Sequence, residues 1–330
     1  MNKMQNRKNG LTIDQKIFIK NNYKTMSNKE IGTILNIDAE KIRRYARSLK
    51  LKKEQYLIPK EKILTIFNKD YSYIYDNLLE CVELKSEDLY KSKYGKYTIN
   101  QNYFETIDNE WKAYWLGFLY ADGCNKLKFN NKKNKMECVL KIALKSTDYK
   151  HLEKLKNSLQ SDSPIKFRKV KLGEKTYENC EINFCNEKIC RDLNKQGCVP
   201  NKSLTLKFPN ENIVPKKYIR HFIRGYFDGD GCVHIDLNEN KEHANRSFII
   251  NFVGTQDMIN GIIDTIISDI GVKPVGYNLK NKGLYQKKDN KAYSCSYSNL
   301  FDVEKIFLYL YENSSICLDR KINTFKKLFN

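Results

Sequence analysis

Two aspartates carry the chemistry to expect of this sequence. Asp122 ends the run "YWLGFLYAD", and Asp230 ends "FIRGYFDGD" 108 residues later. Laid over each other at that offset, Gly117 falls on Gly225, Ala121 on Gly229, Asp122 on Asp230, Gly123 on Gly231 and Cys124 on Cys232. Both runs read as helices, and each sets small residues four apart: Gly117 and Ala121, Gly225 and Gly229. Such a stripe lets two helix backbones approach closely. It gives Gly a reason to sit inside a helix, where it costs up to about 1 kcal/mol against Ala.

Two helices crossing on these stripes bring both aspartates to one place. Each then sits at a helix C-terminus, the negative end of the dipole. Two like charges at two negative ends call for a cation. A few oxygen ligands suit Mg²⁺, which keeps several of its waters and can supply hydroxide and stabilise a phosphate leaving group. The expected chemistry is metal-dependent phosphodiester hydrolysis at a two-helix seam. One "ADG" alone would be a turn cap, but two at matched positions behind matched stripes ask for more.

The elements that position the aspartates are duplicated with them. "LKIALKSTDYKHLEKLKNSL" from Leu140 matches "IINFVGTQDMINGIIDTIIS" from Ile249, with Asp148 on Asp257. Each reads as a strand running into an amphipathic helix. The repeats span residues 103–214 and 215–330, and a pseudo-twofold pair is the natural arrangement. Gly123 and Gly231 are expected in the left-handed conformation that ends helices. Two lysines occupy matching late positions, Lys202 in "VPNKS" and Lys321 in "LDRKI". Lys145 is a further candidate, though the second copy has Gly254 there. The segments "KLKFNNKKNK" (126–135), "PIKFRKVKL" (164–172) and "YNLKNKGLYQKK" (277–288) read as basic strands or hairpins. A sheet with one apolar face on its helices and one basic face suits a DNA groove. That makes Lys126, Lys128, Lys166, Arg168, Lys171 and Lys280 candidate contacts, where ordinary solvated strands would look similar.

At "WLGFLYADG" (115–123) and "IRGYFDGDG" (223–231) the chain resembles the LAGLIDADG homing endonucleases, residue for residue along their nine-residue motif. The resemblance covers residues 103–330, and "VPNKSLTLKFP" looks like the bacterial and phage branch. It implies an α+β fold of two αββαββα subdomains forming a saddle on double-stranded DNA. It also implies Mg²⁺ held by Asp122 and Asp230 with the preceding carbonyls of Ala121 and Gly229, and a lysine (Lys202, Lys321) near each scissile phosphate. The implied enzyme is a monomeric, site-specific endonuclease that cuts both strands of a long target. Tyr120 departs from the motif, replacing its first acidic residue, whereas the second copy keeps Asp228. In the family that position is not the metal ligand. The alternatives on the same fold are an RNA-binding maturase acting on its host intron and a transcription regulator that binds DNA without cutting it. Retention of both aspartates speaks against the regulator.

Upstream, residues 1–55 have the rhythm of a helix-turn-helix. Thr12 with Gln15 and Ser27 with Glu30 form capping boxes, and Asp38 is an N-cap. Ile31, Ile34 and Leu35 line one helix, and Ile42, Tyr45, Ala46 and Leu49 line the next. The latter's opposite face carries Lys41, Arg43, Arg44, Arg47 and Lys50, the layout of a recognition helix. This stretch holds 14 Lys+Arg against 5 Asp+Glu. Residues 56–102 read either as a basic helical connector around Ile63, Leu64, Phe67, Ile74, Leu78 and Leu79 or as a second small DNA-binding unit.

Composition agrees with a polyanionic partner. The 330 residues include 59 Lys+Arg and 39 Asp+Glu, net +20, spread along the chain with 22 Tyr and 16 Phe, although an AT-rich genome would also inflate Lys and Tyr. No stretch approaches the roughly 18 apolar residues of a membrane span, and the N-terminus lacks a signal-peptide core. The ten cysteines then read as reduced thiols of a DNA-associated protein in the cytoplasm of a bacterial or phage-infected cell. Cys180, Cys185, Cys190 and Cys198 lack a C-x-x-C and read as packing residues, not a zinc knuckle. The Met start, without a splicing nucleophile, suggests a free-standing protein or one encoded within an intron.

Overall fold

A computed structural model of the chain describes residues 10–24, 26, 28–51, 69–77, 90–91, 97–132, 134–237, 246–280 and 292–329. The chain divides into two compact units, Met1–Thr65 and Ile66–Asn330.

In the first unit, helices α1 (Ile13–Asn22), α2 (Asn28–Leu35) and α3 (Ala39–Ser48) close on one small core. Both halves of the Thr12–Gln15 capping box are made, at 3.0 and 3.2 Å. Asp38 caps α3 by accepting the Glu40 N–H at 2.7 Å. The box expected at Ser27 lies outside the described residues. Ile19, Tyr23, Ile31, Ile42 and Ala46 form the core. Its apolar stripe is narrower than the sequence reads: Ile34 is 56% and Leu49 43% exposed. Helix α2 ends at Leu35 because Asn36 turns left-handed, with φ 46°.

The second unit opens with α4 (Ser72–Asn77) and the short pair β1 (Tyr90–Lys91) and β2 (Thr98–Ile99). A first set of seven elements follows: α5 (Glu110–Asp122), β3 (Gly123–Asn130), β4 (Lys135–Lys145), α6 (Tyr149–Ser158), β5 (Lys166–Leu172), β6 (Lys175–Phe184) and α7 (Glu187–Lys195). A second set repeats the order: α8 (Ile219–Asp230), β7 (Cys232–Leu237), β8 (Arg246–Gly254), α9 (Gln256–Ile270), β9 (Gly276–Lys280), β10 (Ala292–Tyr297) and α10 (Leu300–Tyr311). Helix α11 (Asp319–Phe329) completes it. The four-stranded antiparallel sheets run β3-β4-β6-β5 and β7-β8-β10-β9, so topology repeats with sequence. The aligned strand-into-helix segments are β4 with α6 and β8 with α9.

Each sheet buries one face. On the first, Leu140, Ile142, Cys180 and Ile182 are covered, with Leu152 and Leu155 of α6 and Ile189 and Leu193 of α7 buried over them. Each such aliphatic side chain contributes about 1.5–3 kcal/mol. Helix α5 is buried from Ala113 through Tyr120, because it packs on α8 and on its own sheet. The tails exchange between repeats. Phe208 N–H donates to Asp257 at 2.7 Å, and Arg320 Nε donates to Asp148, the residue aligned with Asp257, at 3.1 Å.

The described parts of 56–102 pack on both repeats. Lys69 and Tyr71 donate to Glu304 at 2.5 Å, and Asn100 N–H donates to Leu159 O at 2.8 Å. Ile74 is buried, while Ile63, Leu64, Phe67, Leu78 and Leu79 lie outside the described residues. No described helix is long and apolar enough to cross a membrane.

Candidate active site

The two motif helices meet backbone to backbone. A Cβ added to Gly117 would lie 2.0 Å from Phe222 O, and one on Gly225 would lie 1.9 Å from Tyr114 O. Tyr114 aligns with Phe222 as Gly117 aligns with Gly225, so the contact is reciprocal. One turn on, a Cβ on Gly229 would stand 2.4 Å from that of Ala121. Both small-residue stripes are therefore at the seam.

Asp122 and Asp230 are the last residues of α5 and α8. The following glycines correct an expectation. Gly123 (φ −75°, ψ 140°) and Gly231 (φ −72°, ψ 162°) are extended, not left-handed, since each chain passes straight from helix into strand. What excludes a side chain there is space: a Cβ would meet Leu119 O at 2.6 Å and Phe227 O at 2.5 Å.

The carboxylates share one electrostatic site. Both are reached by solvent, yet the protein behind them strips enough water to raise both carboxyls. For Asp122 burial is the main cause and the charge of Asp230 adds to it, pushing the carboxyl up to about 6; Lys202, Arg320 and Lys321 oppose the rise. Burial likewise raises Asp230 against Lys202 and Lys321. Lys202 follows left-handed Asn201 in a short 3₁₀ turn, and its Nζ donates to Gly123 O at 2.7 Å and Ala121 O at 3.2 Å. Lys321, on α11, donates from Nζ to Gly231 O. Both lysines are buried, at 8% and 6% exposure. Each ammonium thus sits on the carbonyl just after an aspartate.

This donor set fits a hard divalent cation. It offers two carboxylates that repel each other, and the adjacent main-chain oxygens are Ala121 O, which already accepts from Lys202, and Gly229 O. Among the described residues no group of three or more His, Cys, Asp or Glu could hold a metal. Two carboxylates with water-filled remaining positions is the coordination Mg²⁺ accepts. Cys180, Cys190 and Cys198 are buried and Cys185 is exposed; burial pushes the Cys190 and Cys198 thiols up to about 12.

The pH dependence of stability follows with a definite sign. Folding raises the Asp122 carboxyl from 3.8 to about 6, so the native state takes up a proton, and this group's contribution falls as pH rises through that window. Buried His151 and His221, whose imidazoles are held low, act in the opposite sense, but they are common to both proteins and cancel in the difference. Without divalent cation, Asp122→Asn should melt above wild type at pH 7 and level with it near pH 4. Thermal melts across pH check this, and a constant offset would refute it.

Sequence reasoning named Asp228 only as a retained motif position, without its partners, and passed over Arg224. Fully buried Asp228 accepts from Tyr114 and Tyr311 hydroxyls at 2.7 and 2.6 Å and from Leu318 N–H at 2.7 Å. Fully buried Arg224 crosses the seam to Glu110 at 2.7 Å and also donates to Leu310 O and Ile316 O. Retained Asp228 and an arginine inside an apolar helical run were the available signals.

The predicted DNA-contacting residues fall into distinct settings. On the uncovered face of the first sheet, Lys126 pairs with Glu137 at 2.8 Å and Arg168 with Glu181 at 2.8 Å. Exposed Lys128 and Lys166 share that face by register. Lys171 has the opposite parity, that of Phe167. Lys280 pairs with Ala292 at the end of β9, and most of its expected hairpin lies outside the described residues. On α3, Arg43, Arg44 and Arg47 are exposed and Lys41 half-buried, with Arg43 tied to Glu40.

No family model matches the chain. Over 136 residues it is 32% identical to "Probable translation initiation factor IF-2" of Methanocaldococcus jannaschii, covering 39% of this chain; it spans a tenth of the length of that curated relative. Among solved structures it is similar to meganuclease I-SmaMI bound to uncleaveable DNA, with 12% identity, 68% of this chain and 89% of that one covered, and a TM-score of 0.44. It is also similar to LAGLIDADG meganuclease I-AabMI bound to uncleaved DNA, at 12% identity, 67% and 90% coverage and TM-score 0.42. For the LAGLIDADG homing endonuclease I-GzeII in complex with its DNA target the values are 14%, 66%, 87% and 0.39.

Proposed function

We propose that the chain is a site-specific DNA endonuclease of the LAGLIDADG type, hydrolysing one phosphodiester in each strand of a long duplex target with Mg²⁺. The observation that carries this reading is the seam: two aspartates end two helices in backbone contact, and a buried lysine sits on the carbonyl after each. Asp122 and Asp230, with Ala121 O and Gly229 O, would hold Mg²⁺, which supplies an activated water and a counter-charge for the leaving oxygen when bound. Lys202 and Lys321, each with its ammonium on the carbonyl after an aspartate, would offset charge developing on the phosphate. Two repeats of one topology suit two cuts by a single monomer about a pseudo-twofold axis. The uncovered face of the first sheet, with Lys126, Lys128, Lys166 and Arg168, suits the DNA backbone and groove edges.

Selection for cleaved sites from a random duplex library in Mg²⁺ tests the proposal. One long site cut on both strands is the expected result. Retention of duplex DNA with no cut product would overturn it in favour of a regulator, and tighter binding to intron RNA than to DNA in favour of a maturase.

The N-terminal unit is proposed to extend the DNA footprint through α3. Each phosphate contact removed should lower the slope of log affinity against log salt by about 1. Arg44→Ala with Arg47→Ala should therefore flatten that slope by about 2 in anisotropy titrations with target duplex. Arg43→Ala should change it less, because Glu40 already engages Arg43. An unchanged slope in the double variant would remove α3 from the interface.

A further inference from the structure

We propose that the motif position two residues before each metal-binding aspartate positions the active-site lysine: Asp228 sets Lys321, and Tyr120 sets Lys202. The assignment of the lysines to the active site rests on the reading above, but the positioning itself does not. Asp228 joins three segments around its half-site. Its Oδ1 accepts from Tyr311 at the end of α10, and its Oδ2 from Tyr114 of α5 across the seam and from Leu318 N–H. Leu318 immediately precedes α11, three residues before Lys321. One carboxylate thus fixes where α11 starts, and so where the Lys321 ammonium meets Gly231 O.

Tyr120 aligns with Asp228 and does the same work with reversed polarity. Its hydroxyl donates to Gln196 O at 2.6 Å, on the turn after α7, six residues before Lys202. Gly197 lies under that hydroxyl at φ +89°, where a Cβ would stand 2.1 Å from it. The group to be held is a carbonyl in the first half and an N–H in the second. A carboxylate accepts but cannot donate, so an aspartate at 120 would repel Gln196 O where a phenol binds it. The departure from the motif at Tyr120 is therefore matched to its partner. Asn125 gives the first half a second tether, donating from Nδ2 to Cys190 O and Cys198 O at 2.9 Å each.

Lysine acetylation of the full chain, followed residue by residue by mass spectrometry, reads this without requiring catalysis. Asp228→Ala should raise the Lys321 labelling rate by about 10-fold or more by opening that segment locally, leaving Lys202 unchanged. Asp228→Asn should restore most of the protection, because its amide oxygen can still accept Leu318 N–H while the tyrosine hydroxyls rotate. Tyr120→Phe should expose Lys202 by only a few-fold while Asn125 remains, and by about 10-fold together with Asn125→Ala. In strand-resolved cleavage, Asp228→Ala should slow one strand by about 10–100-fold, the usual effect of losing an outer-shell partner, with KM unchanged. Both lysines rising together, or neither rising, would overturn the proposal, as would Asp228→Asn behaving like Asp228→Ala. If Asp228→Ala does not fold, the Tyr120 and Asn125 variants decide it. Absent cleavage by wild type would count against the endonuclease reading alone, since labelling still reports on the lysines.

Discussion

Asp122→Asn and Asp230→Asn should each lower the proposed double-strand cleavage by about a thousandfold or more, leaving at most nicked duplex. Asn keeps the shape of Asp but not its charge, so the aspartate pair loses half of its negative charge. Charge stabilisation by a bound cation is worth several kcal/mol in phosphoryl chemistry, and about 4 kcal/mol is a factor of about a thousand in rate. The same substitutions remove one of two carboxylate charges that burial first, and their mutual repulsion second, make costly, the balance that pushes the Asp122 carboxyl up to about 6. Activity and metal-free stability should therefore move in opposite directions, as expected of a site whose strained charges serve function. Strand-resolved cleavage of the selected target, paired with thermal melts in chelator, separates the possibilities. A variant that loses cleavage and stability together would make the aspartates structural. One that keeps double-strand cleavage would end the catalytic assignment. Added Mg²⁺ should raise the melting temperature of wild type at pH 7 and do little for either variant.

The part of this architecture legible in the sequence was the part encoded by spacing. Small residues four apart, repeated at an offset of 108, carried the helix seam, because only close backbone approach explains Gly117 and Gly225 in apolar helices. The strand-into-helix pattern around Asp148 and Asp257 carried the repeated topology. Partners set by tertiary contact had no local signature. Asp228 reaches Leu318 and Tyr311, over 80 residues away, and Tyr120 reaches Gln196, so neither hydrogen bond leaves a periodicity to read. Conformation after the helices was misjudged for a related reason. A glycine following a helix suggests a left-handed cap, but Gly123 and Gly231 continue directly into β3 and β7, and crowding against Leu119 and Phe227 demands glycine instead. Lys171 shows the limit of reading strand faces from charge, since pairing with Thr176 puts it on the parity of Phe167. The alternation in "PIKFRKVKL" is broken at Lys169, and only register settles which side each residue takes.

Gly117→Ala should cost more than any single apolar truncation at the surface, although Ala is the better helix former. Helix propensity favours the substitution by up to about 1 kcal/mol. Against it, the new methyl would stand 2.0 Å from Phe222 O, more than an ångström inside van der Waals contact, with rigid helix backbone on both sides. Overpacking of this kind costs about 1–3 kcal/mol or more, and relief requires the helices to part by about an ångström. The reciprocal geometry then makes a sharper prediction. Parting the helices for Gly117 also makes room at Gly225, so the double alanine variant should lose much less than the sum of the singles, as coupled neighbours do. At about 2–4 °C per kcal/mol for a unit of this size, each single variant should melt several degrees below wild type. Gly10→Ala, which meets nothing within 4 Å, should leave the melt unchanged. Because Asp122 and Asp230 ride on the same helices, a shift of about an ångström should also lower cleavage about a hundredfold on both strands alike. That separates it from the loss at one strand expected when a single lysine is released. Wild-type melting for Gly117→Ala, or strict additivity with Gly225→Ala, would show that the helices do not meet at these glycines.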